Sequence, residues 1–256
     1  MKSILVASQK LFFESVQPER QQSVATLLLL HGAGGSHLTW RSQLRELSDR
    51  FRIISVDLPG HGQSEGTGEA TVGSYARSVS ELMKVLELRD VVLGGHSMGG
   101  AIALEIALRD PSRLAGLVLV GTGARLRVLP AIFSVIREDF ELAIQSMAGF
   151  TFGPAASSEL IEEERHLLAK SSADVMLKDF TACDSFDIME RVGSIHVPTL
   201  IVCGKEDRLT PPKYSETLRE NISGSEIVLL DDCGHMPMLE QSGKFNERVS
   251  SFVMRL

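Results

Sequence analysis

Short aliphatic runs alternate with amphipathic stretches along the first half of the chain. Leu27–His31, Arg52–Leu58, Val91–Gly95 and Leu114–Gly121 read as strands, and Thr199–Gly204 and Glu226–Leu230 repeat the pattern late in the chain. Each run is apolar at consecutive positions, so both of its faces need cover, which suits a parallel sheet with helices on either side. Between the runs, Val72, Tyr75, Val79, Leu82, Met83 and Leu86 recur near helical spacing within Thr71–Leu88. Met98–Arg109 carries Ala101, Ile102, Leu104, Ile106 and Leu108, with Pro111 beyond its end. Such alternation predicts an α/β fold of βαβ units: a mostly parallel central sheet flanked by helices. Ile4–Val6 and Leu11–Phe13 predict a hairpin at one edge.

The rhythm breaks between Ala124 and Ile188, where no strand pattern appears. Ile132, Val135, Ile136, Phe140, Ala143, Ile144 and Met147 fall on one helical face. Ser158 is placed to cap a further helix whose first turns are acidic, at Glu159, Glu162, Glu163 and Glu164, the favourable sign for its dipole. A third helical pattern runs from about Ala173 to Cys183. The expected organisation is a core of residues 1–123 and 189–256, with 124–188 inserted as a helical cap. Ordinary crossover helices on the sheet are the alternative.

A chain of 256 residues is long enough to bury a large core. The formal net charge of −7 argues against nucleic acid as a partner. Cys183, Cys203 and Cys233 are odd in number and widely spaced, which fits reduced thiols better than a disulfide framework. The apolar run Ile4–Ala7 is too short for the core of a signal peptide, and Leu27–Leu30 is too short to span a bilayer. A cytoplasmic protein is expected, with no membrane span. No His, Cys or Asp spacing suggests a metal.

The strongest chemical signal is Gly95-His96-Ser97-Met98-Gly99-Gly100, set between a strand pattern and a helix pattern. A serine on so sharp a turn projects its hydroxyl from the carboxyl edge of the sheet, and small neighbours are needed where the backbone crowds. A serine hydroxyl is a poor nucleophile without a base, and the base needs a carboxylate to orient it. Asp207 follows the Thr199–Gly204 strand and His235 follows the Glu226–Leu230 strand. All three therefore belong to strand carboxyl ends.

These motifs make the chain resemble the α/β-hydrolase fold family over nearly its whole length. Besides the serine turn, the resemblance rests on His31-Gly32-Ala33-Gly34-Gly35, on Asp57-Leu58-Pro59-Gly60-His61-Gly62-Gln63-Ser64, on Gly204-Lys205-Glu206-Asp207 and on Gly234-His235. It implies a Ser97–Asp207–His235 triad and an oxyanion hole from the backbone N–H groups of Ala33 and Met98. It also implies a carboxylesterase-like serine hydrolase that needs no cofactor or metal and takes a small-molecule ester as its partner. Oligomeric state is left open.

Other residues compete for these roles. Glu206 is the rival acid; Asp231 and Asp232 have the wrong chain order, and the other position used in the family reads Gly121-Thr122-Gly123, without a carboxylate. His31 and His61 are expected to shape backbone, as is Asp57. His96 is expected to point away from the site, and His37, His166 and His196 to be solvated or packed. Arg125 and Arg127 are expected on a solvated face. Phe133, Phe140, Met147, Phe150, Phe152, Met176, Met236 and Met238 are available for an apolar pocket. Haloalkane dehalogenases and epoxide hydrolases of this resemblance carry Asp where Ser97 stands, and the menaquinone-pathway lyase-like members carry Arg where Ala101 stands. Carbon–carbon bond hydrolases, thioesterases, perhydrolases and slow-turnover ligand receptors share enough of the pattern to remain alternatives.

Overall fold

The computed structural model describes residues 2–18 and 25–256; residue 1 and residues 19–24, which fall inside the expected core segment, lie outside the described residues. Eight strands form one sheet: β1 (Lys2–Val6), β2 (Gln9–Val16), β3 (Thr26–Leu30), β4 (Arg52–Val56), β5 (Val91–His96), β6 (Leu114–Val120), β7 (Thr199–Gly204) and β8 (Glu226–Leu230). Their spatial order is β1-β2-β4-β3-β5-β6-β7-β8. The β1–β2 hairpin is antiparallel and pairs antiparallel to β4; all pairs from β4 through β8 are parallel. Several expected strands end one or two residues early, because His31, Asp57 and Gly121 already belong to the loops at the strands' carboxyl ends. The hairpin turns at Ala7 and Ser8, both with positive φ (46° and 79°). That is the twist two-residue hairpins prefer, reached here without Asn or Gly.

Successive residues of the aliphatic runs serve opposite faces. Leu28, Leu30, Ile54, Leu93 and Leu119 enter one core cluster, while Leu27, Leu29, Ile53, Val92 and Val118 enter another. The first is covered by α2 (Val72–Val85), α3 (Met98–Arg109) and α8 (Pro212–Asn221), the second by α1 (Arg41–Glu46) and α10 (Ser242–Val253). Thr71 caps α2 by accepting from the Ser74 N–H at 3.1 Å. Among the described residues no helix is long and apolar enough to cross a membrane.

Four helices stand between β6 and β7: α4 (Pro130–Glu138), α5 (Phe140–Thr151), α6 (Ser158–Leu168) and α7 (Ala173–Ser185). The single apolar face expected over Ile132–Met147 is divided between α4 and α5, because Asp139 leaves helical geometry and its carboxylate caps α5 through the Leu142 N–H at 3.0 Å. Ser157, not Ser158, caps α6 by accepting from the Leu160 N–H at 3.2 Å. Ile136, Ala143 and Met176 centre an apolar cluster shared by α4, α5 and α7. The ends of this helical segment run side by side: Ile188 N–H donates to Ala124 O at 2.8 Å, and Leu126 N–H to Phe186 O at 3.4 Å. Arg125 and Arg127 both pair with Asp187, at 2.7 and 3.5 Å, which gives the two arginines a structural partner.

The order of the strands positions the site. The chain passes from β3 outward to β4 and then jumps across to β5, so the loops after β3 and β5 diverge at a switch point. In open α/β sheets that crevice, beyond the carboxyl ends, is where ligands bind. The register pairs Leu30 with Gly95, which sets the Gly32–Gly35 loop beside Ser97.

Candidate active site

Ser97 stands between the end of β5 and the start of α3 with φ 52° and ψ −115°. This is a costly conformation for a residue with a Cβ, held in place by its surroundings. Ser97 N–H donates to Val120 O at 2.8 Å, and the Ser97 carbonyl accepts the Thr122 hydroxyl at 2.8 Å. Gly99 explains the small residue after the turn: a Cβ there would sit 2.4 Å from Leu30 O and 2.6 Å from His31 O. Gly99→Ala must therefore push α3 off β3. The expected loss is about 3 kcal/mol, the upper range for overpacking, read as a fall in Tm of about 6–12 °C in thermal denaturation. An unchanged Tm would contradict this close packing.

His235 and Asp207 meet at the carboxyl ends of β8 and β7. His235 Nδ1 lies 2.8 Å from Asp207 Oδ2, and both side chains are buried. The Asp207 Oδ1 accepts the N–H groups of Leu209 and Thr210, each at 2.9 Å, and Oδ2 also accepts the Thr210 hydroxyl at 2.9 Å. Burial alone would raise the Asp207 carboxyl, but the His235 charge and hydrogen bond, with the Thr210 donors, outweigh it and hold the carboxyl below its usual range. An ionised Asp207 takes a proton-bearing Nδ1 and leaves Nε2 of His235 free to accept. Glu206 and Asp231 are exposed, and Asp231 pairs with Lys205.

Ser97 and His235 border one cavity of about 80 Å³. The Ser97 hydroxyl has no hydrogen-bond partner among the described residues. Such contacts in ligand-free sites commonly tighten only with substrate. The loop after β3 closes the cavity from the other side: a Cβ on Gly32 would lie 3.2 Å from the Ser97 Cβ. Neither the Ala33 nor the Met98 amide donates to a protein acceptor among the described residues, and Ala33 lines the cavity. Met98 is the first residue of α3, where the helix dipole favours negative charge.

Of the residues available for an apolar pocket, Met147, Phe152 and Met236 line the cavity, together with Ala148, Leu168, Phe180 and Leu209. Other candidate lining residues are placed elsewhere. Phe140 and Met176 pack within the helical segment, Met238 is in the sheet's core, Phe150 is exposed under Arg208, and Phe133 lies under Arg137. Glu164, read from sequence as part of an acidic helix start, is buried at the cavity wall and pairs with Arg41 at 2.6 Å. Burial raises its carboxyl in spite of Arg41.

His96 does not point away. Its ring lies 4.5 Å from the His235 ring, and its Nε2 donates to the His235 carbonyl at 2.9 Å. Burial and the neighbouring His235 keep it far below the usual histidine range, so a neutral ring braces the His235 backbone. Glu240 braces the same loop, accepting the N–H groups of Gly234, Met236 and Gly153 at 2.8–2.9 Å. His235 N–H itself donates to Thr151 O, at the end of α5, at 2.6 Å. Thr122, Thr210, Glu240 and the His96 contact had no signal in the linear sequence, since each depends on a partner brought in by the fold.

The remaining histidines and Asp57 order loops. His31 Nε2 accepts the Leu58 N–H at 3.1 Å, so its Nδ1–H donates to Gly32 O at 2.8 Å; burial lowers it to about 4. Asp57 is buried and accepts His37 Nδ1 and the N–H groups of His37 and Gln63 at 2.6–2.9 Å. His37 is thus packed, while His166 and His196 are exposed. All three cysteines are free and buried, and burial pushes their thiols up.

A family model described as α/β hydrolase fold matches residues 25–242. A protein of Agrobacterium fabrum named as the carbamate hydrolase RutD is 31% identical over 242 residues, covering 90% of this chain and 93% of its own length. A pimeloyl-[acyl-carrier protein] methyl ester esterase of Nitrosospira multiformis is 29% identical over 246 residues, covering 88% and 93%. The solved structure of a thermophilic esterase from Thermogutta terrifontis superposes with a TM-score of 0.88 at 27% identity, covering 99% of this chain and 98% of that one. With the sheet order, the serine turn and the matched span all in agreement, the chain belongs to the α/β-hydrolase fold family.

Proposed function

We propose that this hydrolase cleaves carboxylic esters of small to medium acyl groups through an acyl-enzyme at Ser97. The observation that carries the reading is the buried Asp207–His235 pair at 2.8 Å, opening onto the same cavity as a strained, uncommitted Ser97. In this reading His235 Nε2 takes the Ser97 proton as the oxygen attacks the ester carbonyl. The negative charge on the former carbonyl oxygen is met by the Ala33 and Met98 N–H groups. His235 then gives the proton to the departing alcohol as the C–O bond breaks. His235 then deprotonates a water as it attacks the acyl carbon, and returns that proton to the Ser97 oxygen as the bond from Ser97 to the acyl carbon breaks and the acid leaves. Asp207 holds the imidazole in the tautomer this sequence of transfers needs.

The four helices between β6 and β7 act in this reading as a cap, because Met147, Phe152, Leu168 and Phe180 supply the apolar wall. The cavity, at about 80 Å³, is small, which suits short acyl chains. Three free, buried cysteines suit a reducing compartment, and we place the protein in the cytoplasm.

A substrate panel tests the reading. It contains p-nitrophenyl esters of two to twelve carbons, a methyl ester, a carbamate, an acyl-CoA thioester and a vinylogous diketone. The carbamate and methyl ester follow the names of the two relatives above. The expected result is many turnovers, with kcat/KM highest on the shortest esters and lower by at least about tenfold beyond eight carbons, where each rejected methylene costs ~1 kcal/mol or more. Preferred turnover of any non-ester would overturn the substrate assignment, and a single stoichiometric turnover would indicate a receptor.

A further inference from the structure

Asp179 belongs to α7, far from the serine turn in sequence, and its side chain is fully buried. Its carboxylate gathers donors from three separate parts of the fold. Oδ2 accepts the Gly34 N–H and the His61 Nε2–H, each at 2.8 Å, and Oδ1 accepts the Tyr75 hydroxyl at 2.6 Å. His61 Nδ1 faces Pro59 O at 3.1 Å. Both ring nitrogens of His61 therefore face acceptors; burial alone would lower the ring, but the Asp179 charge and hydrogen bond, with Pro59 O, raise it above the usual histidine range. A buried carboxylate persists only when it is paired and hydrogen-bonded in this way.

The Gly34 contact is the consequential one. Gly34 follows Ala33 directly, and its N–H would otherwise have no acceptor in a turn closed only by Gly35 N–H to Gly32 O at 3.1 Å. One helical turn before Asp179, Met176 packs its methyl group against Gly34; a Cβ there would lie 2.5 Å from it. Helix α7 thus grips the peptide adjoining Ala33 from two sides. We propose that Asp179 is a positioning residue that aims the Ala33 amide at the developing oxyanion, so that the seating of α7 sets the rate of acyl transfer. The inference rests on the acyl-transfer reading of Ser97 given above.

Two substitutions separate this role from simple bracing. Asp179→Ala removes the acceptor. Asp179→Asn can keep one neutral oxygen toward Gly34 but loses the charge, which weakens the bond. With a short p-nitrophenyl ester, Asp179→Ala should lower kcat about 10²-fold, near the loss of one oxyanion donor, with KM within about threefold. Asp179→Asn should recover part of this, leaving a loss of about tenfold. Inhibition by a small alkylboronic acid, whose tetrahedral Ser97 adduct presents an oxygen to the same amide, should weaken by the same factors. If folded Asp179→Ala, or Asp179→Asn where the alanine variant does not fold, keeps both kcat and boronate affinity within twofold of wild type, the inference is wrong. It is equally wrong if activity falls only in proportion to the folded fraction measured by circular dichroism. Ser97→Ala in the same assay tells the two failures apart. An inactive Ser97→Ala beside unaffected Asp179 variants removes this inference alone, whereas an active Ser97→Ala removes the acyl-transfer reading with it.

Discussion

Ser97→Ala is expected to lower kcat on p-nitrophenyl acetate by about 10⁵- to 10⁶-fold and to abolish labelling by a fluorophosphonate probe, the scale seen when a triad nucleophile is removed. The loss should be purely chemical. The Ser97 side chain donates to no described residue, while the bonds that fix its turn run through its backbone N–H and carbonyl and survive the change. Alanine also has a Cβ, so the strain at φ 52° is neither relieved nor increased. Tm should stay within about 2 °C, since the change opens no core cavity, buries no unpaired polar group and removes no cap. Undiminished turnover in this variant would sink the assignment of the nucleophile.

Asp207→Asn should cost about 10³–10⁴ in kcat, and the geometry says why. Two backbone N–H groups, from Leu209 and Thr210, point at one oxygen. The amide oxygen of asparagine has to take that place. Its NH₂ group then occupies the other position, facing His235 Nδ1 and the Thr210 hydroxyl. A donor there turns the imidazole to the tautomer with its proton on Nε2, which cannot accept from Ser97. Glu206→Gln, at an exposed side chain, should leave kcat within about twofold. Steady-state kinetics on both variants distinguishes the two carboxylates, and a larger loss at Glu206 would reassign the acid.

The parts of this architecture that rest on local pattern were legible in the sequence. Leu27–Leu30 is apolar throughout because both faces of β3 are covered, and Gly95, Ser97 and Gly99 sit in a turn whose crowding demands small neighbours. The meeting of Asp207 and His235 at one sheet edge was legible because each follows a strand closely. What escaped has a common cause. The hairpin turn uses Ala7 and Ser8 at positive φ, with no turn residue to announce it. The break at Asp139 is a cap inside an otherwise continuous apolar periodicity. Asp179, Glu240 and the inward His96 act through partners separated from them in sequence, and nothing local distinguishes a carboxylate that will be buried from one that will be solvated. Phe150 and Phe152 are two residues apart, yet one is exposed and the other lines the cavity. Only the fold decides between them: Phe150 is still on an outer face of α5, whereas Phe152 lies just past its end and joins a buried core cluster.

The bonds from His235 N–H to Thr151 O, and from Gly153 N–H to Glu240, run between the segment that walls the cavity and the loop that carries the imidazole. That segment leaves and rejoins the sheet at adjacent points, which makes it look exchangeable as a unit with the equivalent stretch of a relative. It is not a neutral graft. A chimera would inherit a new wall together with a new mounting for His235, so under the proposed acyl transfer altered selectivity and altered turnover would arrive as one change. Under that proposal, selection on what enters the cavity also acts on how well the reaction runs.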